Sequence, residues 1–364
     1  MYRFILLTIL SIMNAEIFAQ NIIPEWNEPK GLVLVYPANL PTNPNEPPKK
    51  TLINFYDSFI QLLLDSSDLS EITIIHRKGL KELLTKKFPS KRIMLIEIND
   101  VQDIWARDFM PIYLFNETVC KALYNPSYFK EKEIKYAVLD NQVGINLAEF
   151  LHLKIDYFIQ SGKQDFILDG GNFIHNGQGT AIVTNRVIAD NETLSIDEIK
   201  QVFKSKLNIS NLIILPVEPG DETGHIDGMV RFANEQTVFI ASYPDKYVSG
   251  VNNIKEEDYK TDKQFLENIT DTLRKNKFEV IRIENAIPQD NGEKKMPSAF
   301  GNYINFLRIG NTIFLPQYTI SQDSKATETI KKSFPNLTIV PITTDIDKLS
   351  RLGGVLNCIS WTYY

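Results

Sequence analysis

Cysteine is nearly absent: the 364 residues hold two, Cys120 and Cys358. That excludes a small fold stapled by many disulfides. The two could still pair, but Cys120 stands in the apolar stretch Val119-Cys120-Lys121-Ala122-Leu123 and reads as a small core residue of a strand. Histidine is scarce too, and His76, His152, His175 and His225 show no metal-ligand spacing with the cysteines. No metal site is expected. Basic residues number 39 against 45 acidic, a net charge of −6, which argues against binding to nucleic acid or an anionic membrane. It leaves room for a cationic small ligand. Beyond the first residues no apolar run is long enough to cross a membrane, and no low-complexity linker divides the chain.

The N-terminus differs from the rest. Arg3 gives a short positive start, Phe4 to Met13 is mostly apolar, and Ala19 suits cleavage. That is the pattern of a secretory signal peptide over residues 1–19, with a retained anchor as the alternative. The expectation is an exported protein, periplasmic or secreted, with no stable membrane insertion after cleavage. Residues 20–364 would form a single catalytic domain.

Short β-rich runs alternate with helical ones through that region. Gly31-Leu32-Val33-Leu34-Val35, Glu71 to His76, Ile93 to Ile98, Thr180 to Thr184, Leu212 to Pro216, Gln236 to Ile240, Phe278 to Ile283, Asn311 to Pro316 and Leu337 to Pro341 read as strands. Helical spacing covers Leu52 to Leu64, Lys78 to Lys87, Ile196 to Leu207, Asp262 to Asn276 and Ser324 to Phe334. Two polar gaps, the Pro/Asn-rich Ala38 to Lys50 and Asp245 to Tyr259, read as surface or active-site loops. The Pro37 to Lys50 stretch is expected to control access to a site. Periodicity alone gives a mixed α/β fold.

The chemistry sits in glycine-flanked clusters. Cys358 follows the pair Gly353-Gly354, whose backbone can approach a ligand closely. His225 lies in Gly224-His225-Ile226-Asp227-Gly228, and acids stand in Trp105-Ala106-Arg107-Asp108 and Asp169-Gly170-Gly171-Asn172. Taken singly, each has a plain structural reading. Asp108 could pair with Arg107 or cap a turn, His225 could be a turn histidine, and Asp227-Gly228 is a common turn pair. Together, a thiol, an imidazole and several carboxylates suit attack by sulfur on a cationic carbon centre such as a guanidinium.

These clusters, with Tyr303-Ile304-Asn305-Phe306 and Gly353-Gly354-Val355-Leu356-Asn357-Cys358, occur in an order that resembles the agmatine deiminase and bacterial peptidylarginine deiminase family. Pro24-Glu25-Trp26 and Tyr36-Pro37 resemble that family's opening. The resemblance implies a five-bladed α/β propeller of ββαβ-type units and no metal or organic cofactor. It implies Cys358 as nucleophile, His225 as acid and base, and Asp108 and Asp227 as carboxylates holding the guanidinium. Asp169 would orient His225 or touch substrate. Asn305, Trp105 and Gly354 would line the substrate site. The implied reaction is deimination of agmatine to N-carbamoylputrescine and ammonia. A peptidylarginine deiminase acting on arginine-containing peptides, and an exported non-catalytic binder of cationic ligands, are the alternatives. Met110-Pro111, Asn357 and the lack of a Trp-Pro stretch after Tyr36-Pro37 depart from agmatine-specific relatives. The roles of Glu218, Asp221 and Glu222 stay open at this point.

Overall fold

The computed structural model describes residues 22–41, 49–131, 133–158, 165–247, 255–287 and 298–364. The expected signal peptide and residues 42–48 of the expected access loop lie outside these. The apolar run Gly31–Val35 forms β1, buried along its whole length. Helix α1 (Ile53–Ser66) follows and turns Phe55, Tyr56, Phe59, Ile60 and Leu63 inward. β2 (Glu71–His76) lies parallel to β1, and after α2 (Lys81–Lys87), β3 (Ile93–Glu97) lies parallel to β2. Parallel neighbours need a crossover, which the two helices supply.

The next sheets repeat one pattern: a short strand, an antiparallel return, a helix and a parallel third strand. After the short helix α3 (Ala106–Phe109), β4 (Ile112–Tyr113) pairs antiparallel with β5 (Thr118–Lys121), and α4 (Ile134–Phe150) leads to β6 (Lys154–Tyr157). β7 (Ile174–His175) and β8 (Thr180–Thr184) follow, then α5 (Arg186–Asp190), α6 (Ile196–Leu207) and β9 (Asn211–Leu215). The third repeat is β10 (Val230–Phe232), β11 (Thr237–Ser242), α7 (Glu256–Lys275) and β12 (Glu279–Glu284). The fourth is β13 (Leu307–Ile309), β14 (Thr312–Pro316), α8 (Gln322–Ser333) and β15 (Thr338–Ile342).

Helix α9 (Ile346–Ser350) then leads to β16 (Ser360–Tyr363), which pairs antiparallel with β1, Ser360 opposite Leu34 and Tyr363 opposite Gly31. The first sheet thus takes its antiparallel strand from the far end of the chain. Among the described residues the strands form five sheets, and the class is mixed α/β. Helix α6 runs over the expected residues, started by a capping box between Ser195 and Glu198 and stopped by Asn208 in the left-handed region. Two of the longer elements differ from expectation. The polar stretch after Asp245 becomes helix from Glu256, where Glu256, Glu257 and Asp258 favour a helix N-terminus. Helix α4 was not anticipated, because its buried face mixes Ala137, Asp140, Gly144 and Ala148 with few large apolar residues.

Candidate active site

Each sheet contributes to one buried cluster through the residues just ahead of its antiparallel strand. Asp108 precedes β4, Asp169 precedes β7, His225 and Asp227 precede β10, Asn305 precedes β13 and Cys358 precedes β16. All six are at most 9% exposed. The Asp108 carboxylate lies 3.6 Å from His225 Nδ1, and Asp169 Oδ2 lies 3.2 Å from His225 Nε2. The imidazole is therefore held between two acids. Cys358 Sγ stands 3.8 Å from Asp227 Oδ2.

Gly171 joins these pieces. Its N–H donates to Asp108 Oδ1 (3.1 Å) and its carbonyl accepts from the Asp227 N–H (3.2 Å). A Cβ there would fall 2.5 Å from His225 Nδ1, so only glycine fits. The His225 backbone is fixed from both sides. Asp221 Oδ2 accepts the His225 N–H (3.2 Å), and Thr184 donates to the Gly224 carbonyl (2.5 Å). Asp221 thus shapes the loop, whereas Glu218 accepts from Tyr243 (3.1 Å) and Glu222 lends its carbonyl to Arg186 (2.5 Å).

Asn305, expected at the substrate, is engaged with the turn that carries Cys358. Its Oδ1 accepts from the N–H groups of Asn357 (3.1 Å) and Cys358 (3.3 Å), and its Nδ2 donates to the Asp227 carbonyl (3.4 Å). Gly354 lies where a Cβ would meet the Trp105 ring at 2.6 Å and the Cys358 Cβ at 3.0 Å. The glycine lets the indole pack directly behind the thiol. Trp361 is core, its indole N–H donating to the Pro111 carbonyl (2.7 Å). Both cysteines are free thiols, Cys120 paired in register within β5 and Cys358 in the cluster.

Other contributors were not singled out beforehand. Arg107 does not form an ion pair with Asp108. Its N–H donates to the Cys358 carbonyl (3.0 Å), and its guanidinium donates to Asn357 Oδ1 (3.0 Å). Asn357 in turn donates to Asp227 Oδ2 (2.5 Å). Tyr128 donates to Asp169 Oδ2 (3.3 Å). The adjacency of Arg107 to Asp108 and of Asn357 to Cys358 was the available signal. A cavity of about 60 Å³, lined by Glu25, Arg107, His175 and Tyr364 among others, opens behind Arg107. Neither Cys358 nor His225 lines it, so it is not where the thiol would meet a ligand.

Burial of several acids in one place makes the cluster retain protons. Burial first, then Asp169 and Asp227, push Asp108 up to about 7, against the pull of His225. Burial alone would lower His225, but Asp108, Asp169 and Asp227 overcome it and raise the imidazole to about 10. The imidazole therefore carries a proton at neutral pH. Burial, then Asp227 and Asp108, push the Cys358 thiol well up. The buried acids thus set the site for a cation. A guanidinium between Asp108 and Asp227 would offset their charge and favour the thiolate. Among the described residues no group of three or more His, Cys, Asp or Glu is arranged to hold a metal.

The profile of the Porphyromonas-type peptidyl-arginine deiminase family matches residues 21–363. The chain belongs to that family. A putative agmatine deiminase of Lactococcus lactis subsp. lactis (strain IL1403) is 25% identical over 297 residues, spanning 74% of this chain and 76% of the relative. The solved agmatine deiminase of C. jejuni shares the fold, with a TM-score of 0.76 at 21% identity over 95% of this chain and 96% of that one. A variant of the C. jejuni enzyme solved with substrate bound gives 0.74 at 20% identity, over 95% and 96%. For this member of the deiminase family, the likeness extends over 95% of the chain and is one of fold.

Proposed function

We propose that this protein hydrolyses a guanidinium to a ureido group and ammonia, with agmatine as the substrate and N-carbamoylputrescine as the product. The observation that carries the reading is the buried meeting of Cys358, His225, Asp108 and Asp227. That relatives in sequence and in fold are named agmatine deiminases supports the choice of substrate. In this reading Asp108 and Asp227 hold the guanidinium N–H groups by charge-assisted hydrogen bonds. The cation offsets their repulsion of sulfur, and Cys358 attacks the central carbon as the thiolate. His225 gives its proton to the departing nitrogen, the C–N bond breaks, and ammonia leaves an amidino group on sulfur. The neutral imidazole then takes a proton from water, which adds to the same carbon. Collapse breaks the C–S bond and returns the thiolate, the imidazolium and the ureido product, while the adduct's hydroxyl proton passes to solvent and is taken up by the released ammonia as ammonium.

The recurrence of one strand pattern in five sheets supports a closed pseudo-fivefold propeller, with β16 sealing the first blade. Trp105 walls the substrate stem in this reading, as its ring packs against Gly354 behind the thiol. Residues 1–19 carry the sequence pattern of a signal peptide, and we assign the protein to an exported compartment on that basis. Fractionation of cells expressing the full chain tests this, and a cytoplasmic, uncleaved product would overturn it.

The activity is tested by ammonia release and ureido product from agmatine, free arginine and an internal-arginine peptide. Cys358→Ala and His225→Ala serve as controls. Turnover of agmatine that both substitutions abolish is the expected result. Preference for the peptide would move the assignment to a peptidyl-arginine deiminase, the substrate in the family's description. Turnover unchanged by the substitutions would refute the mechanism, and binding without turnover would make the protein a cation-binding relative.

A further inference from the structure

We propose that Tyr128 is a positioning residue of this centre, whose phenol holds the Asp169 carboxylate in the orientation that aligns the His225 imidazole. The inference rests on the deiminase reading and adds to it the device that sets the acid–base group. Asp169 is 2% exposed, and its Oδ1 is buried with no hydrogen-bond partner. Its Oδ2 accepts the Tyr128 phenol at 3.3 Å and faces His225 Nε2 at 3.2 Å. The phenol is thus the group that steadies the one oxygen through which Asp169 reaches the imidazole. At 3.3 Å the contact is long for O–H···O.

Tyr128 is itself held in place. Its ring meets the His225 ring edge-on, with centroids 6.3 Å apart, and the Arg186 guanidinium lies 5.9 Å over it. Arg186 also donates to Ser127 Oγ (3.0 Å), to the Thr223 carbonyl (3.1 Å) and to the Glu222 carbonyl (2.5 Å). One cation therefore ties the segment carrying Tyr128 to the loop that ends in His225. The phenol stays protonated, because burial first, and then Tyr124, Asp169 and Asp108, push it well above its ordinary range.

The consequence is chemical. A phenol donating to Asp169 draws charge from the oxygen that faces His225, and so moderates how firmly the imidazole keeps its proton. The other groups facing His225 are Asp108 from α3 and Asp227 from its own loop. Asp221 takes its backbone N–H, and the buried Lys121 of β5 interacts electrostatically with Asp169. None of these is altered by removing the hydroxyl. In the hydrolytic half of the reaction His225 must be neutral to accept a proton from water. Losing the phenol makes it more basic, so that half slows and its acid limb moves to higher pH.

Tyr128→Phe keeps the ring, its contact with His225 and the stacking of Arg186. The expected result is a fall in agmatine kcat of about tenfold at pH 7, the scale of one hydrogen bond to a charged group. KM should stay within about twofold, since ground-state binding is untouched. The acid limb of kcat should move upward, and the amidino adduct on Cys358 should accumulate in acid-quenched turnover, read by mass spectrometry. If this variant is poorly folded by thermal melting, 3-fluorotyrosine placed at position 128 is a stronger donor and must move the limb downward. An unmoved limb with no adduct build-up overturns the proposal, as does a loss confined to KM. A wild-type protein without Cys358-dependent deimination removes the underlying reading and this inference with it. An active wild type with an unshifted variant removes this inference alone.

Discussion

Asp227→Asn should move two measurements in opposite directions. In the free protein Asp227 Oδ2 lies 3.8 Å from Cys358 Sγ, and both residues are buried. At an effective dielectric of about 20, a carboxylate repels a thiolate at that distance by about 4 kcal/mol. The amide has the same shape and can keep an oxygen toward Asn357, so the change removes charge and little else. If a third of that repulsion is realised, the thiolate fraction and the alkylation rate at pH 7 rise by about tenfold. The occupied site responds the other way. The guanidinium loses one of its two carboxylates, a charge-assisted bond of about 1.5–3 kcal/mol, so kcat/KM falls by about 10- to 150-fold. Iodoacetamide labelling followed by mass spectrometry reads the first quantity, and steady-state ammonia release reads the second. Cys120 does not interfere, because it is fully buried and burial pushes its thiol far up. Slower alkylation together with slower turnover would refute the reasoning, since it would make Asp227 a structural support of the nucleophile turn.

Three further outcomes follow from the same geometry. His225 is raised to about 10, so the folded protein holds a proton that the unfolded chain releases near 6.5. Its contribution to stability is full below about pH 6.5 and is lost as pH rises toward 10; thermal midpoints of wild type and His225→Gln should converge over that range. Gly354→Ala puts a methyl 2.6 Å from the Trp105 ring and 3.0 Å from the Cys358 Cβ. It should cost about 1–3 kcal/mol of stability in a denaturant melt and about 100-fold in kcat, because the nucleophile must shift. Asn305→Ala removes the acceptor of the Cys358 N–H and should destabilise the protein by about 1–3 kcal/mol, read by urea unfolding. Retained kcat in that variant would contradict its role in holding the nucleophile turn.

What could be read from the chain alone divides along a physical line. The long strands and helices were visible because β1, β2 and β8 are continuous apolar runs buried almost end to end, and α6 buries one face at helical spacing. The strands that deliver the site were not. β4, β7, β10 and β13 are two or three residues long, too short to carry a period, and they owe their conformation to pairing with the strand that follows. The same division runs through the site. Cys358, His225, Asp108, Asp169 and Asp227 are legible because clusters that are each ordinary alone occur together in one chain and in one order. Arg107, Asn357 and Tyr128 are ordinary residues until their partners are known, and those partners lie far along the chain: Asn357 is 250 positions from Arg107, and Asp169 is 41 from Tyr128. A sequence shows what a residue is able to do. Whether Asn357 faces solvent or hands the charge of Arg107 on to Asp227 depends on the return of β16 to β1, a pairing between residues more than 320 positions apart. The reacting groups are therefore readable from their joint occurrence, whereas Arg107 and Asn357 become orienting groups once that return has brought the two ends of the chain together.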